Sequence, residues 1–313
     1  MNHSSPIPTI LVTGWLGAGK TTLIRHLLDK QQLGRRRLAV VINEFGSLGV
    51  DGELLPAGDY RKYEINKGSL FCICTKTDLL AVFSQIREQV QPEFVLVEAT
   101  GLAQPRDLSS VLGMPMLADG FTVSAVVCMI DPLTFLKIEP MASVARAQVE
   151  AADLLAINKC DLVDPVCLDQ VERQVRTINK EASVIRVSHG RVDWHQLRNA
   201  GHSDRRLKRG PVTDPPRDVV SVSLVSDQPL DRVALYSQLD RWRNYVLRAK
   251  GLVCFGDSSA LVELAGGRLT SRPGTFFADN NQTTTRFVVI ARELGEDEIR
   301  EGLQACVRDN RPT

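Results

Sequence analysis

The chain has 313 residues, with 38 basic and 37 acidic side chains, a net charge of +1 and 43% hydrophobic residues, which suits one large domain or, better, two, each able to bury a core without disulfide staples. That balance excludes a global case for nucleic acid or an anionic membrane, and no apolar run approaches the roughly 20 residues of a membrane span. Met1 to Pro8 lacks a basic region followed by a long apolar core, so no secretory signal is expected.

Thr9-Ile10-Leu11-Val12-Thr13 reads as a buried strand. Gly14-Trp15-Leu16-Gly17-Ala18-Gly19-Lys20-Thr21 follows and fits G-x-x-x-x-G-K-[ST] at every fixed position. Residues 20–30 then carry a helical apolar stripe at Leu23, Ile24, Leu27 and Leu28. Strand, glycine loop and helix is the geometry that phosphate binding requires. Backbone N–H groups close around phosphate oxygens and the helix N-terminus adds its dipole. The expected phosphate-binding set is Gly14, Gly17, Ala18, Gly19, Lys20, Thr21 and Thr22. Lys20 reaches the β- and γ-phosphates and the Thr21 hydroxyl ligates Mg²⁺.

Beyond it, residues 9 to about 200 alternate strands and helices. Strands are expected at 9–13, 38–42, 94–98, 121–130, 153–158 and 183–188. Helices are expected at 20–30, 76–90, 105–112, 141–151 and 165–180. That order predicts an α/β domain with a mostly parallel sheet and its ligand at the carboxyl ends of the strands.

Val41 to Gly52 runs from a strand into a glycine-rich loop with two acids, Glu44 and Asp51. At the γ-phosphate edge these acids would hold Mg²⁺, position water or respond to hydrolysis; elsewhere the stretch is an ordinary polar loop. Cys72 and Cys74 sit two apart before a helix that Thr75, Thr77 or Asp78 would cap. A helix N-terminus and Lys76 favour the thiolate, but two thiolates do not close a tetrahedral zinc site. The plain alternative is a pair of small buried residues. The seven cysteines are otherwise scattered, which argues against a disulfide framework and for a reducing compartment, the cytoplasm.

Glu98 ends the strand 94–98 and begins Glu98-Ala99-Thr100-Gly101. An acid at the tip of a second strand beside a phosphate loop organises Mg²⁺ or water, directly or through a water, and Gly101 lets its N–H approach the γ-phosphate. Asn158-Lys159-Cys160-Asp161 follows another strand and reads N-K-x-D. The Asp161 carboxylate accepts from the guanine N1–H and 2-amino group while the Lys159 stem packs over the base. Adenine would leave that carboxylate unpaired, so GTP and GDP are the expected nucleotides. Ser188-His189-Gly190 either closes the base pocket by its backbone or is simply a turn.

Residues 201–218 are polar, basic and proline-bearing, as in a linker; Arg205, Arg206, Lys208 and Arg209 read as solvated charge rather than a partner site. From 219 to 313 a smaller α+β domain is expected. Its strands fall near 219–225, 246–255, 262–265 and 284–290, and its helices near 229–242 and 297–307.

Taken in order, T-G-W-L-G-A-G-K-T-T (13–22), I-N-E-F-G (42–46), V-D-G (50–52), E-A-T-G-L-A (98–103) with Pro105, N-K-C-D-L (158–162) and Leu247-Arg248-Ala249-Lys250-Gly251 resemble the CobW-like family of P-loop GTPases. The resemblance covers nearly the whole chain. It implies a P-loop GTPase domain over 1–200, a linker over 201–218 and a CobW C-terminal domain over 219–313. It also implies slow GTP hydrolysis with Mg²⁺, in which Lys20, Glu98 and Glu44 are the catalytic candidates. A metallochaperone role follows, with Cys72, Cys74 and Glu44 toward zinc, or else cobalt or iron. The partner would be a client metalloprotein or cofactor-dependent enzyme, with a nucleotide-dependent homodimer as a further candidate and neither nucleic acid nor membrane. The family's C-x-C-C after an N-G pair is here G-S-L-F-C-I-C-T, with Ser47 and Gln104 as further departures. Two other readings stand beside it. One is a GTPase switch that loads or gates a corrinoid-type cofactor on a client enzyme. The other is a nucleotide-regulated scaffold.

Overall fold

The computed structural model describes residues 5–29, 37–43, 60–65, 73–101, 103, 105–138, 143–202, 219–256, 258–273 and 284–308. The described residues up to 202 fall in one compact unit and those from 219 in a second.

The first unit is built on a parallel sheet of β1 (Ile7–Thr13), β2 (Leu38–Asn43), β3 (Tyr60–Ile65), β4 (Phe94–Glu98), β5 (Phe121–Ile130), β6 (Leu154–Ile157) and β7 (Ser183–Arg186), in the order β3-β2-β4-β1-β5-β6-β7. The strands in the middle are near-continuous apolar runs because helices cover both sheet faces. On one face Val12, Val40, Leu96 and Val127 pack with Leu23, Ile24 and Leu27 of α1 (Lys20–Asp29). On the other, Leu11, Val41, Val95 and Val126 pack with Phe83 of α2 (Ile73–Gln85) and Leu108 of α3 (Pro105–Leu112). Beyond β5 come α4 (Pro132–Ile138), α5 (Ser143–Ala151), α6 (Pro165–Ile178) and α7 (Trp194–Arg198). Trp194 lies 4.5 Å from Phe94, ring centroid to ring centroid, a pairing worth about 1 kcal/mol beyond its area.

The expected strands and helices of this unit are present, with four differences. β3 was not anticipated. Its sequence Tyr-Arg-Lys-Tyr-Glu-Ile lacks an apolar run because it is an edge strand, where charges discourage further pairing. α2 begins at Ile73 rather than 76, so Thr75, Thr77 and Asp78 lie inside it and not at its cap, and it ends in a π-helical turn over Ile86–Val90. α4 is a short helix started by Asp131, whose Oδ1 accepts from Leu133 N at 2.9 Å. α7 is nucleated by a capping box between Asp193 and Gln196, a D-x-x-Q signal present in the sequence.

The second unit is an antiparallel sheet of β8 (Val219–Ser226), β9 (Val246–Cys254), β10 (Ser259–Ala265), β11 (Arg268–Pro273) and β12 (Thr285–Arg292), ordered β11-β10-β9-β12-β8. Strict alternation along β10 puts Ala260, Val262 and Leu264 inside. They pack with Leu235 and Leu239 of α8 (Arg232–Arg241) and Ile299 and Leu303 of α9 (Glu296–Gln304). β11 was not anticipated either; Gly266 and Gly267 both have positive φ and close its hairpin with β10. The expected helix at 229–242 starts only at Arg232, because Asp231 caps it and Leu230 is drawn into a bridge with Val307.

Candidate nucleotide site

The site forms where β1, β4, β5 and β6 end at one edge of the sheet. β1 turns into the phosphate loop at Gly14, and α1 starts at Lys20. Two glycines are obligatory for distinct reasons. Gly14 has φ +130°, and a Cβ there would stand 2.2 Å from the Met129 carbonyl oxygen. Gly19 has φ +105°, and its Cβ would stand 2.3 Å from Asn158 Nδ2. Both conformations lie outside the range of L side chains. Gly17, at φ +76°, completes the bend, and Ala18 N donates to Trp15 O at 3.2 Å. Lys20 is 4% exposed. Its ammonium donates to Gly14 O at 2.9 Å and Trp15 O at 3.2 Å, so the cation lies across the loop.

Parallel pairing sets Val12 of β1 against Glu98 of β4. That register brings the Thr21 hydroxyl to Glu98 Oε1, to which it donates at 2.7 Å. Glu98 is buried. A hydroxyl and a carboxylate side by side are hard oxygen donors of the type Mg²⁺ takes. The glycine cradle, the Lys20 cation and this donor pair fit a Mg²⁺-nucleoside phosphate. Thr22 follows on the first turn of α1.

Asn158 is 2% exposed and committed to the chain at both ends of its side chain. Nδ2 donates to Ala18 O at 2.9 Å, and Oδ1 accepts from Gly190 N at 3.0 Å. It therefore clasps the phosphate loop, the N-K-C-D loop and the Ser188–Gly190 turn together. Lys159 sits in the left-handed region at φ +58°, and its ammonium donates to Asp131 Oδ2 at 2.6 Å. Asp161 is exposed, with its Oδ2 3.9 Å from His189 Nε2. Ser188 O accepts from Arg191 N at 3.2 Å in that turn.

Gly101 packs against the phosphate loop so closely that a Cβ would meet Leu16 N at 2.6 Å. Gln148 of α5 holds this segment, donating from Nε2 to Gly101 O at 3.1 Å and Ala103 O at 3.0 Å. Cys128, under the loop, is fully enclosed and its thiol is pushed up to about 12 by burial, against the opposing pull of Lys20.

Of the sequence-predicted residues, the phosphate loop, Glu98, Gly101, Asn158, Lys159, Asp161 and Ser188 come together at this edge. Glu44, Asp51 and Cys72 lie outside the described residues, as do the linker cations Arg205, Arg206, Lys208 and Arg209. Cys74 lies in the first turn of α2, but its side chain is outside the described set. Among the described residues no group of three or more His, Cys, Asp or Glu side chains is arranged to hold a metal ion. Sequence reasoning missed Asp131 and Gln148, and read His189 only for its backbone in the 188–190 turn and not for its ring beside Asp161. Asp131-Pro132 after a strand was a helix-start signal; a glutamine inside a helix carries none.

Residues 8–186 match the family model described as CobW/HypB/UreG, nucleotide-binding domain. The chain belongs to the CobW/HypB/UreG family. Residues 219–307 match the Cobalamin synthesis protein cobW C-terminal domain. Among relatives of this CobW-type chain, the zinc chaperone YeiR of Escherichia coli is 34% identical over 191 residues, covering 60% of this chain and 57% of that protein's length. The zinc chaperone CobW of Pseudomonas aeruginosa is 26% identical over 351 residues, covering 98% of this chain and 93% of that protein. The crystal structure of zinc(II)-bound YjiA GTPase from E. coli is similar in fold, at TM-score 0.50 and 22% identity, covering 97% of this chain and all of that one.

Proposed function

We propose that this chain is a GTP-hydrolysing metallochaperone or metalloenzyme activator that couples Mg²⁺-GTP turnover to transfer of a metal, zinc first, to a client protein. The observation that carries the nucleotide half is the Thr21–Glu98 hydrogen bond beside the phosphate loop, on the same sheet edge as the Asn158–Asp161 loop. The zinc half rests on relatives named zinc chaperones.

Lys20 offers a buried cation to the phosphates, and the Gly14–Thr22 backbone offers N–H donors. Mg²⁺, when bound, supplies charge neutralisation to the phosphate oxygens; Thr21 and Glu98 are the residues that would hold it. Glu98 orients water or metal by its fixed carboxylate, and Glu44 is a further candidate for that task. Asp131 fixes the Lys159 stem, and Asp161 gives the acceptor that discriminates guanine. Gly101 is the segment that senses the terminal phosphate. Zinc is cargo, with Cys72 and Cys74 as its thiolate carriers; an incomplete shell suits release. The free thiols at Cys128, Cys160, Cys167, Cys254 and Cys306 suit a reducing compartment, the cytoplasm. Among the described residues no helix is long and apolar enough to cross a membrane.

The test is Zn²⁺ and Co²⁺ binding by the reduced chain without nucleotide, with GDP and with a non-hydrolysable GTP analogue, beside the Cys72→Ser/Cys74→Ser variant. Affinity that depends on nucleotide and vanishes in the variant is expected. Binding indifferent to both would remove the metal role while leaving the nucleotide site.

A further inference from the structure

Gln148 is 1% exposed, in the middle of a helix, with nothing in its sequence setting to mark it. Its carboxamide orientation is fixed by chemistry. Nε2 faces two carbonyl oxygens, those of Gly101 and Ala103, and an exchange of O and N would put oxygen against oxygen. Among the described residues its buried Oε1 has no hydrogen-bond partner. Gln148 also lines a pocket with Trp15, Cys128 and Asp131, and the buried Trp15 indole N–H likewise has no partner among the described residues. Gln148 spends its donors on two carbonyls of a single short turn, and both would lose that partner if an apolar residue replaced it.

That turn has a further tie. Ala103 N donates to Thr100 O at 3.0 Å. In a planar trans peptide the C=O and the N–H that follows point to opposite sides. Holding Thr100 O toward Ala103 N therefore turns the Gly101 N–H away from Ala103 N. Gln148 locks the next carbonyl, Gly101 O, and the far end of the turn at Ala103 O. With Thr100 O held by Ala103 N, and Gly101 O and Ala103 O held by Gln148, Gly101 is tied in place directly against Leu16 of the phosphate loop.

We propose that Gln148 is a positioning residue for the terminal phosphate: it acts through the Gly101 turn, fixing from α5 the peptide that distinguishes a nucleoside triphosphate from a diphosphate. This rests on the reading of Gly101 as the phosphate-sensing segment. On that reading the turn meets only the terminal phosphate, so its mobility would cost little in GDP binding and much in triphosphate binding and turnover.

The experiment compares Gln148→Leu and Gln148→Glu with the wild-type chain in three measurements: GDP affinity, affinity for a non-hydrolysable GTP analogue, and kcat for GTP across pH. The expected result is GDP affinity within about twofold of wild type in both variants, with analogue affinity and kcat each lowered about tenfold or more. For Gln148→Glu the deficit has a pH signature. The ionised carboxyl has no donor to offer the two carbonyls, whereas the protonated form has one. Burial raises such a carboxyl toward neutrality, so the ratio of variant to wild-type kcat should rise severalfold from about pH 8 to about pH 6. That rise is read within one folded protein and stands even if Gln148→Leu does not fold. Equal loss of GDP and analogue affinity with a flat pH ratio would mean a merely structural residue and overturn the proposal. Variants like wild type in all three measurements would overturn it too, leaving the nucleotide reading intact. A wild-type chain that binds GDP and the analogue equally and hydrolyses no GTP would overturn both.

Discussion

Thr21 and Glu98 are 77 residues apart in sequence and 2.7 Å apart in space, the hydroxyl donating to Oε1 of the carboxylate. The pairing exists because β1 and β4 are parallel neighbours with Val12 beside Glu98. It joins the start of α1 to the tip of the neighbouring strand. Glu98→Gln keeps the shape and removes the charge. We expect kcat for GTP to fall about a hundredfold while GDP affinity stays within about twofold, read by phosphate release and by equilibrium titration. An unchanged kcat would remove Glu98 from the catalytic set.

Asp161 carries the carboxylate of the Asn158–Asp161 stretch proposed to read the base, and Lys159 in the same stretch is held by Asp131 at 2.6 Å. Asp161→Asn replaces one acceptor by a donor. Affinity for GTP should fall about ten- to a hundredfold. Affinity for xanthosine triphosphate, which carries a carbonyl where guanine has its amino group, should rise. ATP binding should remain weak. Competition against a labelled guanine nucleotide measures all three. A variant that keeps GTP affinity would show that specificity resides elsewhere.

Asn158→Ala removes both ends of a buried clasp. Ala18 O and Gly190 N lose partners 2.9 Å and 3.0 Å away. Leaving two buried backbone groups unsatisfied should cost about 2–4 kcal/mol, measured by urea unfolding without nucleotide. The same variant should lose nucleotide affinity, because the clasp spans the phosphate loop and the base loop. A loss below about 1 kcal/mol would show the clasp to be dispensable.

Glu172 on α6 accepts from Arg186 of β7 at 2.8 Å and from Arg176 at 3.0 Å. The Arg186 hydrogen bond, aided by Arg176, holds its carboxyl below the usual carboxylate range, against a smaller opposing effect of burial. A carboxyl lowered in the folded state stabilises above its unfolded value of about 4.3 and loses that contribution as pH falls through the folded value. Glu172→Gln should therefore destabilise at neutral pH by about 0.5–1 kcal/mol, the range of surface pairs. The difference should shrink toward zero in acid. Thermal unfolding across pH gives the curve, and a deficit that persists unchanged in acid would exclude the ion pair as its cause.

Much of the molecule was legible in the sequence for local reasons. The phosphate loop announces itself because only glycine tolerates the backbone at Gly14 and Gly19, and because lysine and threonine must follow at fixed spacing. Central strands such as Phe94–Glu98 announce themselves because they are buried on both faces. β3 did not, since an edge strand carries charge like a loop. Asp131 gave a helix-start signal but no sign of its bond to Lys159, and Gln148 gave no sign at all.

What the chain alone determined, then, were the elements whose chemistry is local: the phosphate loop, the N-K-C-D loop and the alternation that makes a parallel sheet. Tertiary structure decided which of these meet. Strand order β2-β4-β1-β5-β6 brings Glu98 to Thr21, Asn158 to Ala18 and Gln148 to Gly101. Those contacts depend on non-local pairing across the sheet, and their partners lie 77, 140 and 47 residues apart. No periodicity within a strand or helix encodes such distances; the burial of two sheet faces does, by leaving the loops at one edge a single place to converge.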